Sequence, residues 1–264
     1  MTNLTSEPTA VKSAIAEALK EEPVQIKTIA PSNTEVTLPG GYVSGDGSLV
    51  KYAVVRELNG ADEEAIAKAG SYGRALNVIL SKGLVTIGDE VVNRELLDDL
   101  LAADRDAILL AIRRVTFGDE VNYSVLCDHC SSPQQLVIDL DKDIPMVSLD
   151  DPIDGRKWTT EIKSGTAIVT LPTGDVQKKL MENSDKTTAE LNTILLSGCV
   201  LAINNKASYG AQTVLKLGMG EREALVDDII SKNPGPRLGE VTKTCEACGE
   251  DIRTPLSLVG LFRL

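Results

Sequence analysis

Two Cys-x-x-Cys pairs, Cys127/Cys130 and Cys245/Cys248, constrain this chain more than any other feature, because 115 positions separate Cys130 from Cys245. A two-residue gap lets both sulfurs of one turn face a single ion. Two such turns complete the thiolate tetrahedron that zinc prefers. Closing a loop of that length costs about (3/2)RT ln n, or roughly 4 kcal/mol. Structural zinc contributes about 10–16 kcal/mol in small peptides, so the metal outweighs the loop. A redox pair would sit at a helix N-terminus, whereas both pairs here lie between segments that read as strands. Disulfides are disfavoured in a reducing compartment. The reading is a closed structural zinc site with ligands Cys127, Cys130, Cys245 and Cys248, and with no open position for catalysis.

Other chemistry has little material. A single histidine, His129, occurs among 264 residues, which removes His-rich metal sites and nearly all His-based triads. It lies inside the first pair and reads as an exposed knuckle residue. Cys199, in an apolar stretch, reads as a small buried residue. The net charge is −12, and the longest basic runs are pairs such as Arg113-Arg114 and Lys178-Lys179. Clustered cations for phosphate are lacking, so nucleic acid and anionic membrane are poor partners. No apolar run approaches the ~20 residues of a membrane span, and the first residues lack the basic start and apolar core of a signal peptide. The expected compartment is therefore a cytosol.

Residues 1–33 read as an arm rich in Ser, Thr, Pro and Glu, with a short amphipathic helix from Pro8 to Glu21. Strands follow at Thr34 to Leu38 and Leu49 to Glu57, with Gly40 to Gly47 as turn material. Helices are expected at Asp62 to Ala69, Tyr72 to Lys82, Arg94 to Leu101 and Asp104 to Thr116, with Asn59 and Asn93 as N-caps and Gly83 and Gly118 as stops. Strands enter and leave the first Cys pair at Glu120 to Leu126 and Gln135 to Leu140. A hairpin follows, Lys157 to Ile162 with Thr166 to Leu171. A second helical block spans Asp175 to Glu182, Thr187 to Asn204 and Glu221 to Lys232, with Thr187 and Glu190 at capping-box spacing. Gly239 to Thr244 and Ile252 to Leu258 flank the last pair. The two Cys-bearing segments thus share one plan, each preceded by helices, and imply two half-similar units. The fold class is α+β, with two helical blocks flanking short antiparallel strands that converge on a four-cysteine zinc ribbon. The core spans 34–264, with 156–238 as an inserted second half.

Several weaker signals fall away. Asp139, Asp141, Asp143 and Asp150 follow a calcium-loop spacing, but Ile144 stands where that loop needs Gly and Asp150 where it needs Glu. Gly218-Met219-Gly220 lacks the rest of a dinucleotide fingerprint, and Gly40 to Gly47 lacks the Lys-Ser/Thr of a P-loop. Asp98-Asp99 and Asp227-Asp228 read as wet helix faces. No catalytic or small-molecule cofactor-binding residue is assigned, and no enzyme activity is expected.

The stretch LLAADRDAILLAIRRVTFGDEVNYSVLCDHC, from Leu100 to Cys130, resembles the baseplate hub family of contractile-tailed (T-even-like) bacteriophages. The matching positions are Asp104, Arg105, Arg113, Gly118, Cys127 and Cys130. Leu171 to Asp175 of LPTGDVQKKL follows, and then Cys245 and Cys248. The likeness covers about Tyr52 to Leu264, and the first knuckle, CDHCSS, lacks the Pro or Gly often seen there. It implies a structural, non-catalytic part of a tail baseplate in the virion, bound to other baseplate and tail subunits, with the arm docking on a neighbour. Two alternatives are an assembly factor that leaves before the particle is complete, and a zinc-ribbon module of transcription or translation.

Overall fold

The computed structural model describes residues 34–262 and 264; the expected arm, 1–33, lies outside them. The chain opens with β1 (Glu35–Val43) and β2 (Leu49–Val55), then α1 (Gly60–Ala67) and α2 (Tyr72–Gly83). Next come β3 (Leu84–Ile87), β4 (Glu90–Val91), α3 (Arg94–Asp99) and α4 (Ala102–Phe117). The antiparallel sheet runs β1-β2-β3-β4. Asn59 and Asn93 cap α1 and α3 through their side chains, and Gly118, at φ 86°, ends α4. The alternation of Glu120 onward gives β5 (Glu120–Leu126), paired with β6 (Pro133–Asp139) around the first Cys-x-x-Cys.

The same order then recurs. After β7 (Met146–Val147) come β8 (Lys157–Ile162) and β9 (Gly165–Thr170), then α5 (Gly174–Glu182) and α6 (Thr188–Cys199). β10 (Val200–Ile203), β11 (Lys206–Ala207), α7 (Ala211–Val214) and α8 (Met219–Lys232) follow. The second sheet runs β8-β9-β10-β11. β12 (Gly235–Pro236) pairs with β7, β13 (Glu240–Thr244) pairs with β14 (Asp251–Pro255) around the second Cys-x-x-Cys, and α9 (Leu258–Leu261) ends the described chain. The offsets are nearly constant. α2 and α6 start at 72 and 188, 116 positions apart, while α4 and α8 start at 102 and 219, 117 apart. Cys127 and Cys245 stand 118 apart. The fold is α+β, built twice.

Two sequence expectations are corrected. The helix expected through Asn204 ends at Cys199, and Val200–Ile203 is a strand paired with β9. The β-branched and aliphatic run suits a partly buried inner strand, and Asn204 and Asn205, at φ 49° and 59°, turn it into β11. The glycine-rich turn also starts later than expected. Gly40 and Gly41 belong to β1, in a register break between Thr37 and Tyr42. Gly41, at φ 72°, is what the bulge requires, and the turn itself falls at Ser44–Ser48.

Each half has its own aliphatic core. The larger gathers Leu76, Ile79, Leu80 and Ile87 around Ile108, Leu109 and Ile112 of α4. The second gathers Val169, Leu196, Cys199, Val214, Leu225 and Ile229. The halves meet where the second lays its LPTG segment on the first. Ala102 N–H donates to Pro172 O (2.9 Å), and Gly174 N–H donates to Leu100 O (2.7 Å). A Cβ on Gly174 would run into Leu97 O and come within 2.6 Å of Arg105 Nη1. Gly174→Ala therefore wedges α5 off the first half, a loss of about 1–3 kcal/mol. Urea denaturation should show that lower stability.

Candidate metal centre

Both knuckles are hairpin turns of one design. Ser131 N–H donates to Cys127 O (2.8 Å) and Cys127 N–H to Ser132 O (3.0 Å); in the second, Gly249 N–H donates to Cys245 O (2.9 Å) and Cys245 N–H to Glu250 O (2.8 Å). Gly249 (φ 78°) and Ser131 (φ 59°) occupy the same left-handed position, 118 residues apart. The serine thus takes a conformation that a glycine adopts without strain.

The turns bring all four sulfurs within 4.8 Å of one another. Cys127 Sγ stands 3.8 Å from Cys248 Sγ, and Cys130 Sγ 3.8 Å from Cys245 Sγ. A disulfide needs about 2.05 Å, and all four cysteines are free. A tetrahedral ion with sulfur ligands at about 2.3 Å separates them by about 3.8 Å. The donor set fits a metal ion. Cys127 and Cys245 are buried and pack with Leu136 and Ile252, whereas Cys130 and Cys248 lie at the surface. Burial opposes ionisation of Cys245, but the N–H groups of Cys248 and Ala247 and the neighbouring thiols outweigh it, and its pKa falls to about 7. The Glu250 N–H favours the Cys248 thiolate, yet desolvation and the three adjacent sulfurs together push that thiol up to about 12. Thiols this close resist sharing negative charge, and a cation would relieve them.

The other singled-out residues separate cleanly. His129 is exposed beside the site. Cys199 is fully buried in the second core, and burial pushes its thiol up to about 12. The Asp139–Asp143 turn spends its carboxylates on backbone N–H groups and on Lys142, Lys243 and Arg114. Asp228 accepts from Trp158 Nε1 (2.6 Å) and pairs with Lys232.

The motif residues of α4 are buried and at work elsewhere. Asp104 Oδ1 accepts Gly40 N–H (2.7 Å), which holds the β1 bulge. Arg156 grips the same bulge through the carbonyls of Gly40 and Gly41. Arg105 donates to Gln177 Oε1 (2.8 Å), Leu97 O (2.7 Å) and Asn77 Oδ1, and so ties α4 to α5 of the second half. Gln177 Nε2 in turn donates to Asp106 Oδ1 (2.7 Å). Arg113 donates to Leu261 O (2.8 Å) and Gly118 O (3.0 Å) and stacks 4.8 Å over Phe117, so it fixes the chain's end against α4.

Sequence reasoning missed the counterpart of this motif. Glu221 and Arg222 stand 117 positions after Asp104 and Arg105. Glu221 Oε1 accepts Ser164 N–H (2.6 Å) from the β8–β9 turn, as Asp104 accepts from β1. Arg222 Nη2 donates to Thr193 Oγ1 (2.7 Å), the position 116 residues after Asn77. Aligning the two Cys pairs and reading backward, with a one-residue gap between the long helix and the knuckle, would have paired DRD with ERE.

Burial raises the Asp104 carboxyl to about 7, against the lowering from Gly40 N–H, Arg156 and Gly41 N–H. The folded protein therefore holds this proton more tightly than the unfolded chain, whose aspartates titrate near 3.9. The associated stability is fully present below about pH 4 and is lost as pH rises through about 7. Asp104→Asn keeps an acceptor for Gly40 and removes the charge. Urea titrations at pH 5 and pH 8 should show a loss on raising the pH that is smaller in the variant by about 2 kcal/mol.

No family model, curated protein or solved structure matches the chain.

Proposed function

We propose that this chain is a structural, non-catalytic component of a bacteriophage contractile-tail baseplate, and that one zinc ion closes its four-cysteine site. Its partners in this reading are neighbouring baseplate and tail subunits. The observation that carries it is the set of four sulfurs at tetrahedral spacing, two from each half. Such a site closes the chain on itself and leaves no ligand position for a substrate. An all-sulfur set suits a soft or borderline ion, zinc above all. The family likeness rests on Asp104, Arg105, Arg113 and Gly118, and each of these is engaged in holding elements together. That supports a scaffold role. Among the described residues no helix is long and apolar enough to cross a membrane.

Metal analysis of the purified chain should find one zinc per polypeptide. Cys245→Ser should lose that metal and melt well below the parent, since loss of a structural metal typically removes several kcal/mol. A variant with full zinc and unchanged melting would overturn the four-thiolate site.

Peptide mass spectrometry on purified particles, normalised to the tail-tube subunit, tests the location. A fixed small ratio is expected. Absence from finished particles together with abundance in infected cells would favour the assembly-factor reading.

A further inference from the structure

The contact that joins the two halves has an unused counterpart at each end of the molecule. In the first half, the surface formed by α2, α3 and the start of α4 is covered by Pro172, Gly174 and α5. There Ala102 is 7% exposed and Arg105 2%. The second half builds the same surface from α6, α7 and the start of α8, with Arg222 holding Thr193 as Arg105 holds Asn77. Nothing among the described residues covers it. Met219, at the position of Ala102, is 89% exposed, and Leu215 beside it is 60% exposed. Glu223, at the position of half-buried Asp106, is exposed as well.

The covering element also has a twin. α1 occupies in the first half the place that α5 occupies in the second, between the opening hairpin and the next long helix. Its leading turn, Asn59, Gly60 and Ala61, is exposed. A Cβ on Gly60 would meet nothing within 4 Å, whereas one on Gly174 would strike the first half. Counted from the N-caps Asn59 and Thr173, Glu63 stands where Gln177 stands. Gln177 is the residue that takes the Arg105 Nε–H. A carboxylate there matches the Arg222 guanidinium better than an amide does. The rest of α1 is acidic, with no base in its last turn, and Lys216, in the turn between α7 and α8, is an exposed cation.

We propose that a second copy of this chain docks the start of its α1 on the α6–α7–α8 surface, repeating between molecules the contact that joins the halves. The two surfaces differ, so the contact is heterologous, and successive copies close into a ring or extend as a filament. This inference rests on the internal repeat alone. Its failure would leave the zinc site and the tail assignment standing, because their tests read metal content and particle composition.

The experiment is sedimentation velocity with native mass spectrometry on the full chain, from about 1 to 100 µM. Concentration-dependent species larger than a dimer are expected. Met219→Asp spoils the receiving surface and Glu63→Lys the inserting one. Each should weaken association at least about tenfold. Both positions are exposed, so melting, metal content and Trp158 fluorescence should stay as in the parent. An equal mixture of the two variants retains one intact inserting surface and one intact receiving surface. It should give 1:1 dimers that grow no further. A parent that stays monomeric throughout, a parent dimer that stops at two, variants that assemble like the parent, or a mixture that fails to pair would each overturn the proposal.

Discussion

Asp104 and Arg105 are consecutive residues at the start of one helix, and the rest of the molecule hangs on that adjacency. The acid faces the β1 bulge and the arginine faces α5, so α4 is fixed against its own sheet and against the second half within a single turn. About two turns further on, Arg113 fixes the same helix to the chain's end. A buried guanidinium is stable only when its donors are met. Arg105 meets them with a carbonyl, a glutamine and an asparagine drawn from three separate elements. Each acceptor is therefore placed as firmly as the arginine itself. Gly118 then ends α4 and releases β5 toward the first knuckle.

This arrangement changes the energetics of the metal site. A loop of 115 residues closing on an ion costs roughly 4 kcal/mol when the chain between is free. Here the intervening residues form a folded half that is already docked through Gly174, Gln177 and the β7–β12 pair. Most of the closure is complete before any metal arrives, and the ion has only to bring two short hairpins together. Lys243 on β13 reaches Asp143 just beyond β6 (2.6 Å), so a cross-hairpin ion pair already draws them close. The binding energy of a metal held there would then be available to the knuckles, which bury few apolar side chains beyond Leu136 and Ile252.

What the sequence made legible follows from distance along the chain. The Cys pairs, their flanking strands, the caps at Asn59 and Asn93 and the Thr187–Glu190 box depend on neighbours within a few residues, and the structure forms each of them. The end of α6 was not legible, because Cys199 to Ile203 is apolar throughout and helix and strand compete evenly over so short a run. Gly40 and Gly41 looked like a turn since the residue that holds them in a strand, Asp104, lies 64 positions away. The acceptors Asn77 and Gln177 were invisible for the same reason. The likeness to baseplate proteins pointed to Asp104, Arg105 and Arg113 as a set, but only the fold explains why those charges sit at those places.

The two halves show which parts of such a design can drift. The clamp is kept: an acid at the start of the long helix that accepts an N–H from the opening hairpin, an arginine beside it, a Cys-x-x-Cys at the end. The residues around it diverge according to what lies over them. Leu101 and Ala102, under α5, are small enough and apolar enough to be sealed, whereas Gly218 and Met219 stand open at the same positions. An arginine whose Nε–H is met by a covering helix in one half, and which is held by the equivalent neighbouring helix without that cover in the other, makes a surface whose geometry is already set. Ordering a side chain such as arginine costs up to about 2 kcal/mol, and Thr193 and Ala189 have already fixed Arg222. That preorganisation favours an interaction role for the second half over a merely space-filling one.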